Sequence, residues 1–492
     1  MGLAACTSIQ PQPVTPQEMR VQTAADLASA AKGVDRIEGP LTLEQAMARA
    51  LKFNLDRRVR LMEEAIGLRQ LDVSKLDMLP KLVAQSGYTT RDNDRTVLLS
   101  GAASSASQDR THVVSQLGLT WNTLEFGTGY LNSLQAADRA LIATERRRKA
   151  MHVLMQDVRT VYWRAISAQK LQADVKRVIG LAEEALVDSR KTENERLKNP
   201  LDALRYQRQV LENLRLLESI QQELASAQVE LTSLINVPPG TPVELVEMPF
   251  NAKPDALNIG VAKLEETALL NNADLREQHY NARIARDETR KVLFRMFPSL
   301  AFSVSTNKDS DSFLVNQEWN EAGLQLSFNL LNLLTAPTQK RLADAGVALA
   351  DQRRVAVQMA VLTQVHLARL QLLNSSSQFE RADEIWNVDN KISTIVINRE
   401  AARAQSKLER ISNETAAVLS LLRRYQAAAQ MQAAESRLQA TLGLEPNLPS
   451  VDAIDSRALA QKITLHNLIW QSLLEPAGKQ GTQQQNKEQT RK

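Results

Sequence analysis

The sequence contains a single cysteine, Cys6, in 492 residues. That excludes a disulfide framework and any thiolate metal cluster within one chain. Aromatics make up 4%, too few for a stack of thick globular cores. No apolar run approaches the roughly 18 residues of a spanning helix, so insertion into a bilayer would have to use strands. A surplus of one charge is missing too: 60 Lys and Arg are interspersed with 56 Asp and Glu, for a net +4. Such a balance argues for no nucleic-acid partner. The densest basic run, Arg146-Arg147-Arg148-Lys149, reads as a solvated helix face. His112, His152, His279, His366 and His466 are scattered without metal-ligand spacing. There is no HExxH, no GxSxG and no Gly-rich loop ending in Gly-Lys-Ser/Thr. The expectation is a protein that is not an enzyme, with no metal and no cofactor.

What the chain does have is a repetition. Ala50, Leu51, Asn54, Asp56 and Arg58 reappear as Ala268, Leu269, Asn272, Asp274 and Arg276, and the same offset carries Pro80 onto Pro298. Further on, Trp121 and Asn122 fall on Phe328 and Asn329, Arg146 and Arg147 on Arg353 and Arg354, and Pro239 on Pro446. The change of offset places an insertion after Pro80, as in a variable surface loop. Units of roughly 200 residues are far longer than solenoid repeats.

Each unit reads as helix, two short strands, a very long helix, a returning helix and a Pro-rich break. From Leu131 to Asn199 there is no proline and one glycine, Gly180. Leu154, Val158, Val161, Ala165, Ala168 and Leu171 step by three and four, a helical stripe whose alanines permit close approach of partner helices. About 60 residues at 1.5 Å each make a rod of roughly 90 Å. Rods this long need bundles or oligomers to cover them.

The strands alternate. Leu117, Leu119 and Trp121 are spaced by Gly118 and Thr120; Leu300, Phe302 and Val304 by Ala301 and Ser303; Leu324, Leu326 and Phe328 by Gln325 and Ser327. Aromatics concentrate in windows 88–130 and 294–328, with Tyr88, Trp121, Phe126, Tyr130, Phe302 and Phe328 as candidate membrane-edge residues. Apolar residues alternating with small or polar ones, with aromatics near the ends, are what a transmembrane barrel strand requires. Four strands per chain cannot close such a barrel, whose smallest examples have about eight. If the strands span a membrane, several chains must share one barrel, and three chains would give twelve strands. Gly127 and Gly129 read as easing a strand-to-helix turn, not as a phosphate cradle, because the second copy has Leu334 and Ala336 there. The opening "MGLAACTS" resembles the end of a lipoprotein signal, with Leu3-Ala4-Ala5 before Cys6 as the lipidated residue.

With "LTLEQAMARAL" (41–51) and Asn54, "LPKLVAQSGY" (79–88), "LTWNTLEFGTGY" (119–130), "VRTVYW" (158–163) and their second copies, the chain resembles the TolC-like family of outer-membrane efflux and secretion channels. The resemblance implies a homotrimer with a fold that is mainly α plus a small transmembrane β part. Each internally duplicated chain would give long helices to an α-barrel in the periplasm and four strands to a shared 12-stranded β-barrel. It implies a Gram-negative outer membrane, an inner-membrane transporter of the RND or ABC type, and a periplasmic adaptor docking at the helical tip. The tip maps to Arg196, Asn199, Pro200, Leu201 and Asp202 in the first unit and to Arg403, Leu408 and Glu409 in the second. A periplasmic adaptor or a coiled-coil scaffold is the alternative. The expected divisions are 1–6, residual signal; 7–40, disordered linker; 41–250, first repeat (strand pair about 82–122, long helix 131–198, return helix 201–236); 251–450, second repeat (helix 259–294, strand pair about 299–330, long helix 337–402, return helix 406–442); and 451–492, with a disordered polar tail.

Overall fold

The computed structural model describes residues 11–97, 105–194, 200–238, 240–247, 253–402, 404, 406–444, 451 and 454–466. Cys6, Arg196, Asn199, Arg403 and the tail 479–492 lie outside the described residues. In chain order the elements are α1 (Pro16–Ala31), α2 (Leu43–Phe53), α3 (Leu55–Leu76), β1 (Lys81–Thr90), β2 (Thr96–Val97), β3 (Ser105–Ala106), β4 (Thr111–Asn122) and α4 (Thr123–Asn194). Then follow α5 (Pro200–Leu234), a 3-10 turn at Asp255–Asn258, α6 (Val261–Asn271), α7 (Ala273–Phe294), β5 (Ser299–Asp309), β6 (Glu318–Ser327), α8 (Leu331–Ala401), α9 (Lys407–Leu442) and α10 (Ser456–His466). The fold is mainly α with a small β part. Two compact units are distinguished: Met1–Val59, Lys149–Leu270 and Thr363–Lys492 form one, Arg60–Arg148 and Asn271–Leu362 the other.

The repeated asparagines have a structural cause. Asn54 ends α2 and caps α3, its Oδ1 accepting from Arg57 N at 3.0 Å. Asn272 likewise separates α6 from α7, accepting from Leu275 N at 3.1 Å. A side chain that satisfies the first amides of a new helix stops the old one without leaving donors unpaired. The single helix expected over 259–294 is therefore two.

Other elements also differ from the sequence reading. Both long helices start early, α4 at Thr123 and α8 at Leu331, and Pro337 is carried inside α8. Part of the expected linker is helical: Thr15 and Glu18 form a capping box around Pro16, with Thr15 N donating to Glu18 Oε2 at 2.8 Å. The segment after 451 contributes α10, whose Leu459 and Ile463 are buried.

In the first unit the core joins α2 (Met47, Leu51), α4 (Val158, Tyr162, Ile166), α5 (Leu231), α9 (Tyr425, Ala429) and α10. Leu41 pairs in parallel with Leu245, its N–H donating to Glu244 O at 2.8 Å. The Tyr162 hydroxyl lies 2.8 Å from Leu41 O and 2.7 Å from Val246 O. Burial pushes its phenol pKa up, so it stays a donor to these carbonyls.

In the second unit the seam between α4 and α7 is polar. Arg283 forks onto Asp138, with Nε 3.1 Å from Oδ2. Lys291 Nζ reaches Asn132 Oδ1 at 3.1 Å and Gln135 Oε1 at 3.3 Å, and Arg276 pairs with Glu145 at 3.1 Å. Between α4 and α3, Glu64 forms an ion pair with Arg147 at 2.6 Å and accepts from the Thr144 hydroxyl at 2.7 Å. Elsewhere in this unit apolar side chains are uncovered: Met62, Ile66, Val73 and Leu76 on α3, and Leu334, Leu342 and Leu349 on α8.

Tyr162→Phe should strand one buried carbonyl and lower stability by about 1–2 kcal/mol. Chemical denaturation of the purified protein reads this directly, and an unchanged midpoint would contradict the assigned role.

Candidate functional site

Four strands form one antiparallel sheet in the order β1-β4-β5-β6, with β1 and β6 at its edges. β2 and β3 pair separately as a two-residue ladder within the longer polar loop. The register sorts side chains onto two faces. Leu82 lies opposite Leu119, Ala84 opposite Leu117 and Tyr88 opposite Val113. The same face continues through Trp121 opposite Phe302, Leu119 opposite Val304, Phe302 opposite Leu324 and Leu300 opposite Leu326. The other face carries Gln85 opposite Gln116, then Thr120, Ser303, Ser305, Asn307 and Gln325. One face is thus largely apolar and the other polar, the alternation of a strand with lipid on one side and water on the other. Leu82, Leu324 and Leu326 are 66%, 65% and 70% exposed, left uncovered among the described residues.

The aromatic candidates separate by position. Trp121 meets Phe302 at a centroid distance of 5.9 Å and Phe126 at 5.7 Å, a cluster where the strands give way to helices. Phe328 follows β6 at the same end, while Tyr88 stands near the loop end of β1. Tyr130 is within α4, outside the strands. The sequence reading missed Phe294 and Phe297, which contact each other at 6.3 Å just before β5. Their signal was the aromatic-rich window itself, which begins at 294.

The junction explains the aromatic–Asn pair present in both copies. Asn122 Oδ1 accepts from Leu124 N at 2.9 Å and Glu125 N at 3.2 Å, capping α4, and takes the Ser299 hydroxyl at 2.9 Å. Asn329 Oδ1 accepts from Leu331 N at 3.1 Å at the start of α8. Gly127 and Gly129 lie inside α4, so their expected role in a turn is corrected. A Cβ on Gly127 would stand 2.1 Å from the Phe294 ring, and one on Gly129 would stand 3.3 Å from Met78 Cγ. They are glycines because the end of α7 and the turn after α3 approach α4 there.

At the loop end the two repeats are tied together. Asp109 accepts from Ser312 N at 2.6 Å and from the Ser312 hydroxyl at 2.9 Å, while Asp109 N donates to Asp311 Oδ1 at 3.1 Å. The Ser312 amide and hydroxyl hold the Asp109 carboxyl below its ordinary pKa. His112 and Asn307, both on the polar face, are buried at this end.

Of the tip residues, Pro200 starts α5, Leu201 is exposed, and Asp202 pairs loosely with Arg205 at 3.8 Å. Leu408 packs near Ile411, Leu186 and Val210, and Glu409 N receives the Ser406 cap at 3.2 Å. Sequence reasoning missed the ionic contacts that join the two turns. Lys407 Nζ lies 3.1 Å from Glu184 and 3.5 Å from Asp188 on α4. Buried Glu414 takes Arg410 at 2.7 Å and also pairs with Arg177. Desolvation opposes the charge of Lys407, but Glu184 and Asp188 outweigh it and hold the ammonium pKa above the ordinary lysine value.

Two outcomes follow. Gly127→Ala should destabilise by about 1–3 kcal/mol, because the Phe294 ring must move. In a denaturation cycle, adding Phe294→Ala should give less than the sum of the two single losses, and strict additivity would exclude the contact. Because the Lys407 pKa is raised on folding, its contribution is complete below about pH 10 and lost as pH rises through the raised value. The stability gap between the native chain and Lys407→Met should stay constant from about pH 7 to 9 and close above that range; a gap independent of pH would count against the pairing.

No family model and no curated protein matches the sequence. Solved structures do match the fold. The chain is similar to a membrane protein from Pseudomonas aeruginosa at TM-score 0.63 and 15% identity, covering 82% of this chain and 90% of that one. It is similar to the Campylobacter jejuni CmeC outer membrane channel at TM-score 0.64 and 12% identity, covering 86% and 89%. The Neisseria gonorrhoeae MtrE outer membrane channel matches at TM-score 0.62 and 15% identity, covering 82% and 88%. The fold of this chain is that of the TolC-family outer-membrane channels.

Proposed function

We propose that the chain is the outer-membrane channel subunit of a tripartite efflux or type I secretion system. Three copies close a twelve-stranded barrel in the outer membrane and continue it as a helical tunnel into the periplasm. The observation that carries this reading is the four-stranded sheet with one apolar face uncovered and both edges open. In hydrocarbon an open edge leaves backbone groups unpaired, so further strands must come from other copies. The uncovered apolar faces of α3 and α8 fit the same assembly, α3 of one copy lying against α8 of the next.

The conduit is passive: a water-filled passage lowers the barrier for solutes, and the energy is supplied by an inner-membrane transporter of the RND or ABC type. A periplasmic adaptor docks at the tip, around Asp202 and Glu409 and the neighbouring Arg196, Asn199 and Arg403. Trp121, Phe126, Phe302 and Phe328 sit at the inner membrane edge and Tyr88 toward the outer one. Cys6 carries the lipid that anchors the N-terminus.

Protein extracted from outer membranes should run as a trimer by native mass spectrometry and give conductance steps in planar bilayers. A monomer that leaves bilayers silent would overturn the reading. Cys6→Ser, expressed behind a complete signal, should abolish acyl labelling.

A further inference from the structure

We propose that Glu321 gives the lumen of the barrel a preference for cations; this rests on the conduit reading above. The register places Glu321 opposite Ser305, Ser305 opposite Gly118 and Gly118 opposite Val83. That row belongs to the polar face, which turns inward once the apolar face meets lipid. The flanking rows on this face run through Trp319, Asn307, Gln116 and Gln85 on one side and Gly323, Ser303, Thr120 and Lys81 on the other. Lys81 is the one charged residue in these two rows.

The other charged residues of the described strands differ from Glu321 in position or partner. Lys81 shares the polar face but is held by Glu125 at 2.7 Å. Asp309 lies at the loop end, where it accepts from Asp311 N at 3.1 Å. Lys308 and Glu318 are on the apolar face and pair with each other. Glu321 is exposed, and among the described residues its carboxylate has no hydrogen-bond or ion-pair partner. A threefold assembly sets three such carboxylates at one level of the passage.

The scale of the passage makes them effective. Twelve strands about 4.8 Å apart and tilted about 40° close a ring about 24 Å across. The Debye length is about 10 Å at 0.1 M salt, comparable with the radius of that ring, and about 3 Å at 1 M. A ring of carboxylates therefore enriches cations across the lumen in dilute salt and is screened in concentrated salt.

Reversal potentials of the native trimer in a planar bilayer under a potassium chloride gradient test this. In dilute salt the native channel should favour potassium over chloride, and Glu321→Gln should lower that permeability ratio by about threefold or more. Glu321→Lys should favour chloride, and all three channels should converge at about 1 M salt. Glu321→Cys treated with a cationic methanethiosulfonate should move toward the lysine variant, while the native chain, with Cys6 alone, should not respond. Permeability ratios identical in the native, Gln and Lys channels would overturn the role of Glu321 and leave the conduit standing. Silence of the native trimer would instead overturn the conduit reading and this inference with it.

Discussion

Unpaired backbone groups at the edges of a four-stranded sheet are the constraint on which the rest depends. β1 and β6 each offer a row of amides and carbonyls with no strand partner among the described residues, beside a face of Leu, Phe and Trp side chains. In water such an edge would invite aggregation, and in hydrocarbon each unsatisfied group costs several kcal/mol. Short charged edges or an added helix would solve the first problem and defeat the second. Closure with identical copies answers both, because every edge then finds the opposite edge of a neighbour. Under the proposed reading the chain is a fraction of a barrel, and the long helices share that incompleteness.

The duplication meets this constraint economically because each repeat supplies the same parts at the same places. Asn54 and Asn272 divide the entering helices; Asn122 and Asn329 start the long ones. In each case a short amide side chain satisfies backbone donors where the direction or the type of structure changes. Two buried polar side chains are also held by named partners. The Tyr162 hydroxyl serves two carbonyls at the Leu41–Leu245 bridge, and Glu414 is held between Arg177 and Arg410.

Much of this was legible before the structure, because periodicity and repetition are properties of local sequence. Alternation at Leu117, Leu119 and Trp121 reveals a two-sided strand, and the Ala and Leu stripe beyond it reveals a helix. What escaped was set by partners distant in sequence. Gly127 and Gly129 read as a turn because glycine disfavours helix interiors by roughly 1 kcal/mol each; the Phe294 and Met78 side chains that require them belong to other elements. Lys407 is far along the chain from Glu184 and Asp188, and nothing local in either segment announces the pairing. The α1 cap is local and readable in Thr15-Pro16 and Glu18, although the surrounding Pro, Gln and Thr composition by itself points to a linker.

The duplication also bears on how copies meet. Within one chain, α7 of the second repeat lies against α4 of the first, with Arg283 on Asp138 and Lys291 beside Gln135. The offsets that align the repeats place Ala65 and Ala345 where that ion pair stands, and Val73 and Leu342 where Lys291 and Gln135 meet. The same offsets turn Phe294 and Gly127 into Leu76 and Leu334, a large side chain over none becoming two of middle size. Leu76, Val73, Leu334 and Leu342 are all exposed in the single chain. Under the threefold reading these equivalents face each other between copies, so the seam inside a chain is ionic while the seam between chains is apolar. Obligate interfaces are the more hydrophobic kind, resembling a core cut in half. An ionic seam tolerates water before assembly, whereas an apolar one supplies the driving force for assembly itself. On that reading, the divergence of the two repeats at these positions is a division of labour between holding one chain together and recruiting the next.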